Sequence, residues 1–417
     1  MKIITLSEEE FNRFSNNHKY NTFYQSSDYA EFARENEQYD VHYLGFVYEP
    51  TNTLIGACLM LYRPLFWGYK YAYSPRGFLI DYNNSEIIDD ISNSLKRLLK
   101  KQKFVFITID PFIVAGERDR NGNVIQVNNN VNKILSDFKR NGYEHFGFNI
   151  LNETLLPRWN VVAKLNRDGR TIFNSFDENV KEKISYCNSI GMECIEDTSL
   201  NVDEFFNYIK KAYGKKGKRY FVNLVNSFKK NNKVKIFYAK LNTKKYVENA
   251  NKLYSTEEEK NLKLADIIQS GDTIKYNISK AINDKVVSDK LLHTYKKDIV
   301  ASTRFMKNNP NGIACGAVLT INDARGVNIF INYVDDNYPK YYSDIFLTYE
   351  IMKYFGKLDY KYINIGAVTG NFDAGSKYYP ILENKLGFNS SILEYVGQFD
   401  IVINPLMYKI YKKKYDK

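Results

Sequence analysis

Apolar and polar residues follow two rhythms along this chain. Val41 to Tyr48 and Leu54 to Tyr62 alternate as half-buried strands do, and Pro50-Thr-Asn-Thr53 between them makes a hairpin. Lys70 to Ser74 reads as a third strand, ended by Pro75-Arg-Gly77. Phe104 to Ile109 is a continuous apolar run, the mark of a buried strand. Between these two, Ser85 to Lys101 predicts a helix with Leu95, Leu98 and Leu99 on one face. Its lysines gather toward the C-terminal end, where the helix dipole favours cations. Ahead of the hairpin, Ser7-Glu-Glu-Glu-Phe11 opens a short helix, with Ser7 as N-cap and Glu10 at the capping-box position. Gln25-Ser-Ser-Asp28 caps another, Tyr29 to Glu37. Asn128 to Asn141 predicts a helix, and Gly147 to Ile150 the start of a strand.

The same order then recurs. Trp159 to Lys164 is a strand, Phe176 to Ile190 a helix and Met192 to Glu196 a strand. Helices follow at Asp203 to Tyr213 and Tyr220 to Lys230, then a strand at Val234 to Leu241. Further on come strands at Ile313 to Ile321 and Val327 to Tyr333, a helix at Ile345 to Leu358, and strands at Tyr362 to Ile365 and Ile392 to Val396. Two helix–helix–strand–strand–strand–helix–strand units point to a duplicated α/β domain. The second is interrupted by Lys244 to Lys307, rich in Lys, Glu and Asn, which reads as helices at Asn242 to Gln269 and Thr273 to Thr303 around a Gly271-Asp272 turn. Ile274, Ile278, Ile282 and Val286 keep an i+4 spacing, a narrow stripe suited to a projecting antiparallel hairpin about 35–45 Å long.

A chain of 417 residues needs more than one core. The formal charge of +11 suits an anionic partner: RNA, a nucleotide-linked substrate or an anionic membrane surface. Cys58, Cys187, Cys194 and Cys315 form no C-x-x-C pair and read as free thiols of a reducing compartment. No long apolar h-region follows Met1, and no apolar run is long enough to span a bilayer. A cytoplasmic protein is expected, able to work at the inner membrane face.

The four histidines lie far apart with no metal-ligand spacing, and there is no phosphate-binding G-x-x-x-x-G-K-[ST] loop or G-x-G-x-x-G turn. Lys210 to Lys235 carries ten basic residues and no acidic one, with Tyr213, Tyr220 and Phe221 among them. This suits phosphate contacts plus base stacking, and equally a solvated helix face. Tyr73-Ser-Pro-Arg-Gly77 places Arg76 where it can grip a carboxylate or phosphate, while Asp81 can orient an amine or simply pair with Arg76. Arg34, on the second helix, is a candidate for the same cleft. Gly366-Ala-Val-Thr-Gly-Asn-Phe372 lets backbone approach a ligand closely, and Lys385, just before Gly387, is a candidate oxyanion or phosphate group. A strand–turn corner with a surface lysine is the plainer alternative.

Phe23-Tyr-Gln-Ser-Ser-Asp-Tyr-Ala-Glu-Phe32, Tyr73-Ser-Pro-Arg-Gly77 with Asp81, Lys218-Arg219, Gly366 to Phe372, Asn384-Lys-Leu-Gly-Phe388 and Glu394-Tyr-Val-Gly-Gln-Phe-Asp400 stand in order across nearly the whole chain. As a set they resemble the FemABX family of peptidoglycan-bridge aminoacyltransferases. Two departures stand out: the family often has Phe-Lys where this chain has Asn384-Lys385, and Asp373 to Tyr379 is locally unusual.

The resemblance implies an α/β fold of two GCN5-acetyltransferase-like domains with an inserted helical hairpin. The first covers 1–156, with 399–417 packing back onto it; the second covers 157–241 and 308–398; the hairpin is 242–307. It implies transfer of an amino acid from aminoacyl-tRNA to an amine of the stem peptide or growing bridge, on lipid II or UDP-MurNAc-pentapeptide. The donor ester is already activated, so no cofactor or metal is expected. Lys385 would steady the oxyanion or the terminal tRNA phosphates, and Asp81 would accept a hydrogen bond from the attacking amine. Arg34, Tyr73, Arg76 and Arg219 would hold the acidic acceptor, with Gly366, Thr369 and Gly370 as the cleft floor. Lys215, Lys216 and Lys218 are the tRNA-binding candidates. The rival readings are an acyl-CoA-dependent N-acyltransferase, against which stands the lack of a [QR]-x-x-G-x-[GA] loop, and a non-catalytic RNA- or envelope-binding scaffold.

Overall fold

The computed structural model describes residues 1–151 and 155–415. The first unit runs β1 (Lys2–Thr5), α1 (Glu8–Asn17), α2 (Ser27–Glu37), β2 (Asp40–Tyr48), β3 (Thr53–Pro64), β4 (Lys70–Ser74), α3 (Ser85–Lys101), β5 (Phe104–Ile109), β6 (Val114–Arg118), β7 (Val124–Val127), α4 (Val131–Arg140) and β8 (Tyr143–His145). The second runs β9 (Trp159–Lys164), α5 (Gly169–Asn174), α6 (Glu178–Ser189), β10 (Met192–Glu196), α7 (Val202–Tyr213), α8 (Lys218–Lys229) and β11 (Val234–Leu241). It continues through α9 (Thr243–Ser270), α10 (Ile278–Asn308), β12 (Ile313–Asn322), β13 (Gly326–Val334), α11 (Ser343–Lys357), β14 (Tyr362–Ala367), α12 (Tyr379–Leu386) and β15 (Ser390–Tyr395). Strand β16 (Phe399–Val402) and helix α13 (Pro405–Tyr415) follow.

Two sheets result, in the orders β1-β2-β3-β4-β5-β16-β8 and β10-β11-β12-β13-β14-β9-β15-β6-β7. Their first seven positions correspond. In each, the fourth and fifth strands (β4 and β5, β13 and β14) are parallel and joined by a crossover helix, α3 or α11, while the other pairs are antiparallel. The sixth position is exchanged in sequence. The first sheet takes β16, which follows the second unit, and the second takes β9, which precedes its own helices.

The lacing goes further. The β6–β7 hairpin, which the sequence places in the first domain, pairs with β15 and extends the second sheet. Arg118 on β6 and Arg158 beside β9 both clamp Glu394 on β15. Phe23 and Phe32 of the first unit share one buried cluster with Phe205, Phe221 and Phe228 of the second. Asp28 on α2 pairs with Lys233 at 2.8 Å and accepts from Asn231 at 2.6 Å. Gln25 is fully buried, bonded to the Pro75 carbonyl and the Leu59 N–H, so its segment is a structural joint as well as a helix cap.

The local expectations differ from the structure where capping or backbone sign decides. The Ser7–Glu10 capping box forms. No strand forms at 147–150, because Gly147 takes a left-handed φ of +91° and the Asn149 carbonyl is claimed by the Arg158 and Trp159 side chains. Helix α10 begins at Ile278 rather than Thr273, because Asn277 caps it. Helices α9 and α10 are antiparallel, with Thr243 Oγ1 on the Asn309 carbonyl at 2.7 Å and Asn261 Nδ2 on Ser288 Oγ at 3.1 Å. The i+4 apolar stripe is not their seam. Ile274 is fully exposed and Ile282 and Val286 are about half exposed, whereas Ala281, Ser288 and Ser302, at heptad intervals, are buried. Small residues let the two helices approach, and the larger ones turn outward.

Ile401 on β16 is fully buried between the first sheet's β5 and β8. Ile401→Ala should therefore lower the unfolding free energy by about 2–5 kcal/mol in urea titration, a cost expected of a core strand and not of a loose tail.

Candidate active site

Strands β13 and β14 are paired only from Gly326/Tyr362 to Asn328/Asn364. Beyond that point β13 stays with β12 while β14 bends away with β9, its partner along its whole length. The turn is made at Gly366. Its register shifts at a bulge, its φ is +112°, and its N–H is taken by Asn364 Oδ1 at 2.9 Å. Only glycine enters that backbone region without strain. A Cβ here would also stand 3.2 Å from Lys385 Nζ. The parted strands leave a wedge, lined by Ile329, Phe330, Gly366 and Ala367, that opens into two cavities.

The first cavity, about 590 Å³, carries Asp344, Asn384 and Lys385. Lys385 lies in the last turn of α12, and its Nζ donates to the Ala367 carbonyl at 2.8 Å. Burial lowers its pKa to about 8, opposed by the Asp344 carboxylate. Burial in turn raises the pKa of Asp344, while Lys183 and Lys385 act against the rise. Asn384 accepts from Lys183 Nζ at 3.2 Å, which brings a second cation to the site.

The second cavity, about 710 Å³, lies between the two units. Phe23, Tyr24 and Arg76 come from the first, and Asn160, Asp323, Asn364 and Tyr395 from the second. Five cations (Lys19, Arg76, Lys164, Arg325, Lys361) face it against two carboxylates, Glu117 and Asp323. Arg76 is held by its surroundings. Its φ is +52°, its N–H donates to Asp110 at 2.7 Å, its Nη2 donates to the Pro157 carbonyl at 2.7 Å, and its guanidinium stands 4.7 Å from the Tyr395 ring centroid. Asp110 also accepts from Tyr73 Oη at 3.1 Å, and burial raises its pKa to about 6 despite Arg76.

The structure sorts the sequence candidates. Lys385, Gly366 and Arg76 converge on the wedge and its cavities. Tyr73 is buried behind Arg76 and reaches it through Asp110. Thr369 lines a third, smaller cavity of about 250 Å³, which also reaches Ala367. Gly370 packs against Trp159, where a Cβ would come within 2.5 Å of the indole. Asp81 does not pair with Arg76; it is exposed and bound to Lys19 at 3.2 Å. Arg34, Lys215, Lys216, Lys218 and Arg219 are exposed and line none of these three cavities. Half of the basic run is already neutralised: Lys211, Lys218, Lys230, Lys233 and Lys235 pair with Asp336, Asp203, Glu31, Asp28 and Glu196. Reasoning from sequence missed Asp110, Lys183 and Asp323. Asp110 had a signal, as an acid directly ending a buried parallel strand.

The FemAB family model matches residues 6–415. The chain belongs to the FemAB family. The aminoacyltransferase FemA of Staphylococcus aureus is 25% identical over 432 residues, covering 99% of this chain and 97% of that protein. FemA of Staphylococcus epidermidis is 23% identical over 420 residues, covering 99% and 98%. The crystal structure of FemX superposes with a TM-score of 0.74 at 18% identity, over 98% of this chain and 99% of that one. The fold is mixed α/β, built on two sheets of corresponding strand order, as the resemblance implied.

The contact between Gly366 and Lys385 can be tested without any substrate. Gly366→Ala should lower stability by about 1–2 kcal/mol through its left-handed backbone. In a double-mutant cycle by urea unfolding, Lys385→Ala should recover part of that loss, since it removes the atom the new Cβ meets.

Proposed function

We propose that this protein is an aminoacyltransferase that takes an amino acid from aminoacyl-tRNA and joins it to an amine of the peptidoglycan stem peptide or its growing bridge. Lipid II and UDP-MurNAc-pentapeptide are the acceptor forms considered. The observation that carries the reading is the wedge: a half-buried ammonium, fixed at the meeting point of two cavities, in a chain whose relatives are named aminoacyltransferases.

The cavity beside Lys385 receives the donor's aminoacyl end, and the cationic interdomain cleft receives the acidic acceptor. The amine attacks the ester carbonyl across the wedge. The C–N bond forms as the carbonyl becomes a tetrahedral oxyanion; on its collapse the C–O bond to the ribose breaks, and the proton lost by the amine nitrogen goes to the leaving ribose oxygen. The ester is already activated, so alignment and exclusion of water supply most of the acceleration. Lys385, in its ammonium form, stabilises the oxyanion or the terminal phosphates. Arg76, held by Asp110 and the Pro157 carbonyl, grips a carboxylate or phosphate of the acceptor. Arg219, Lys215 and Lys216, exposed outside the wedge, are left as contacts for the body of the tRNA. Asp81 has no place in the step, being exposed and tied to Lys19.

One observation weighs against acyl-CoA as donor. Helix α11 is entered through Pro339-Lys-Tyr-Tyr342, without a glycine, and Tyr341 is buried there. A pyrophosphate needs open backbone N–H groups at such a helix start.

Incubation with a panel of charged tRNAs and either acceptor should yield labelled aminoacyl-muropeptide. No transfer from any tRNA to either acceptor would sink the proposal. Lys385→Ala should reduce kcat about 10²–10³-fold with the fold intact. With the Lys385 pKa lowered to about 8, the cation is present below that value and lost above it. The rate should fall as pH rises through about 8, and Lys385→Arg, which stays protonated, should remove that fall.

A further inference from the structure

The turn between β3 and β4 is Leu65-Phe-Trp-Gly-Tyr69, closed by Leu65 N–H on the Tyr69 carbonyl at 2.7 Å and Tyr69 N–H on the Phe66 carbonyl at 2.9 Å. Trp67 and Gly68 form its tip with left-handed φ values of +52° and +74°. A bulky residue rarely accepts that conformation. Here it does so while the residue is 74% exposed, with its ring edge-on to Phe66 of the same turn at 5.1 Å.

Helix α13 lies beside this tip. Leu65, Tyr69, Met407 and Tyr411 share one apolar cluster with Phe106 and Tyr408, and Lys414 Nζ stands 5.6 Å over the Phe66 ring. The hairpin tip and the helix therefore form one surface. Tyr415, 52% exposed, packs on Tyr411 and adds to its apolar side, while Leu406, 65% exposed, lies on the outer face of the helix in line with Lys409 and Lys413. The Lys70 N–H on the Lys103 carbonyl, at 2.9 Å, brings the basic end of α3 to the same edge. Residues 64–72, 96–109 and 402–415 contain no Asp or Glu. Lys100, Lys101, Lys103, Lys409, Lys413 and Lys414 are all exposed there, and none forms an ion pair among the described residues.

We propose that this surface docks the protein on an anionic lipid bilayer, with Trp67 and Leu406 entering the interface and the lysines facing lipid phosphates. Indoles favour the headgroup level, and a basic amphipathic helix binds by buried apolar area plus attraction to anionic lipid. Single-stranded RNA fits less well. It needs ring faces lying along a groove, whereas Trp67 protrudes from a hairpin tip and Leu406 offers no ring. The proposal stands apart from the transfer reaction, since membrane binding is measured without any donor or acceptor.

The test uses the full chain and vesicles of phosphatidylcholine, with or without about 30 mol% phosphatidylglycerol. The protein has two tryptophans, and Trp159 is buried, so a blue shift of emission reports on Trp67. Flotation with anionic vesicles should exceed that with neutral ones at least about tenfold, with a blue shift and release by salt. The pair Trp67→Ala and Leu406→Ala, and separately Lys413→Glu with Lys414→Glu, should each abolish flotation with an unchanged melting temperature. Equal flotation on neutral vesicles, or wild-type flotation by both variants, overturns the proposal. Loss of tRNA binding in these variants with flotation unchanged would also overturn it, assigning the surface to RNA.

Discussion

The hydrogen bond from Lys385 to the Ala367 carbonyl is the constraint on which the rest of the site depends. It places a cation against backbone that has just left its sheet. A regular strand would not present that carbonyl, since a continued β13–β14 pair would close the gap. The bulge at Gly366 and its left-handed backbone open the pair, and Lys385 enters where a side chain at 366 would otherwise stand. The same opening joins the two large cavities. The ammonium is partly stripped of water, which weakens its hold on a proton and strengthens its attraction for any negative charge that develops nearby.

A wedge of this kind has value only if its walls hold still. The first sheet takes its sixth strand, β16, from beyond the second unit, the second takes β9 from ahead of its own helices, and the β6–β7 hairpin is lent to the opposite sheet. The interdomain cleft is thus bounded by elements pinned from both sides: Arg76 by Asp110 and Pro157, β15 by Arg118 and Arg158, α2 by Lys233 and Asn231. Charges that look available in the linear sequence are largely consumed by this joinery. Lys230 and Lys233 bind acids on α2, and the net positive surface left over lies elsewhere, including the edge that carries Trp67.

Much of this was legible in the residues. Strands Phe104–Ile109 and Trp159–Lys164 were placed to the residue, and in the first of them burial on both faces writes a continuous apolar run. Lys385 and Arg76 were found because a glycine or proline beside a charge marks backbone that is not regular. The rest was not legible, for physical reasons. Pairing between β6 and β15, or β16 and β5, spans hundreds of residues, and no local pattern encodes it. The outward stripe of Ile282 and Val286 mimicked a helical seam, while the real seam used Ala281, Ser288 and Ser302, whose small size hides them from a hydrophobic count. Asp81 was chosen as neighbour to Arg76 because it is close in sequence, yet the acid that reaches Arg76 is Asp110, delivered by the adjacent parallel strand.

The central claim is that donor and acceptor meet at the parting of β13 and β14, over Lys385. The most direct measurement is a crystal structure of the protein with a stable 3′-aminoacylamino-adenosine analogue of the tRNA end. The account predicts the aminoacyl group in the cavity lined by Asp344, Asn384 and Lys385, with its carbonyl oxygen within hydrogen-bond reach of Lys385 Nζ and its amide carbon facing the interdomain cleft. An analogue bound among Lys215, Lys216 and Arg219, or anywhere that leaves Lys385 on the Ala367 carbonyl with the wedge unoccupied, would contradict it.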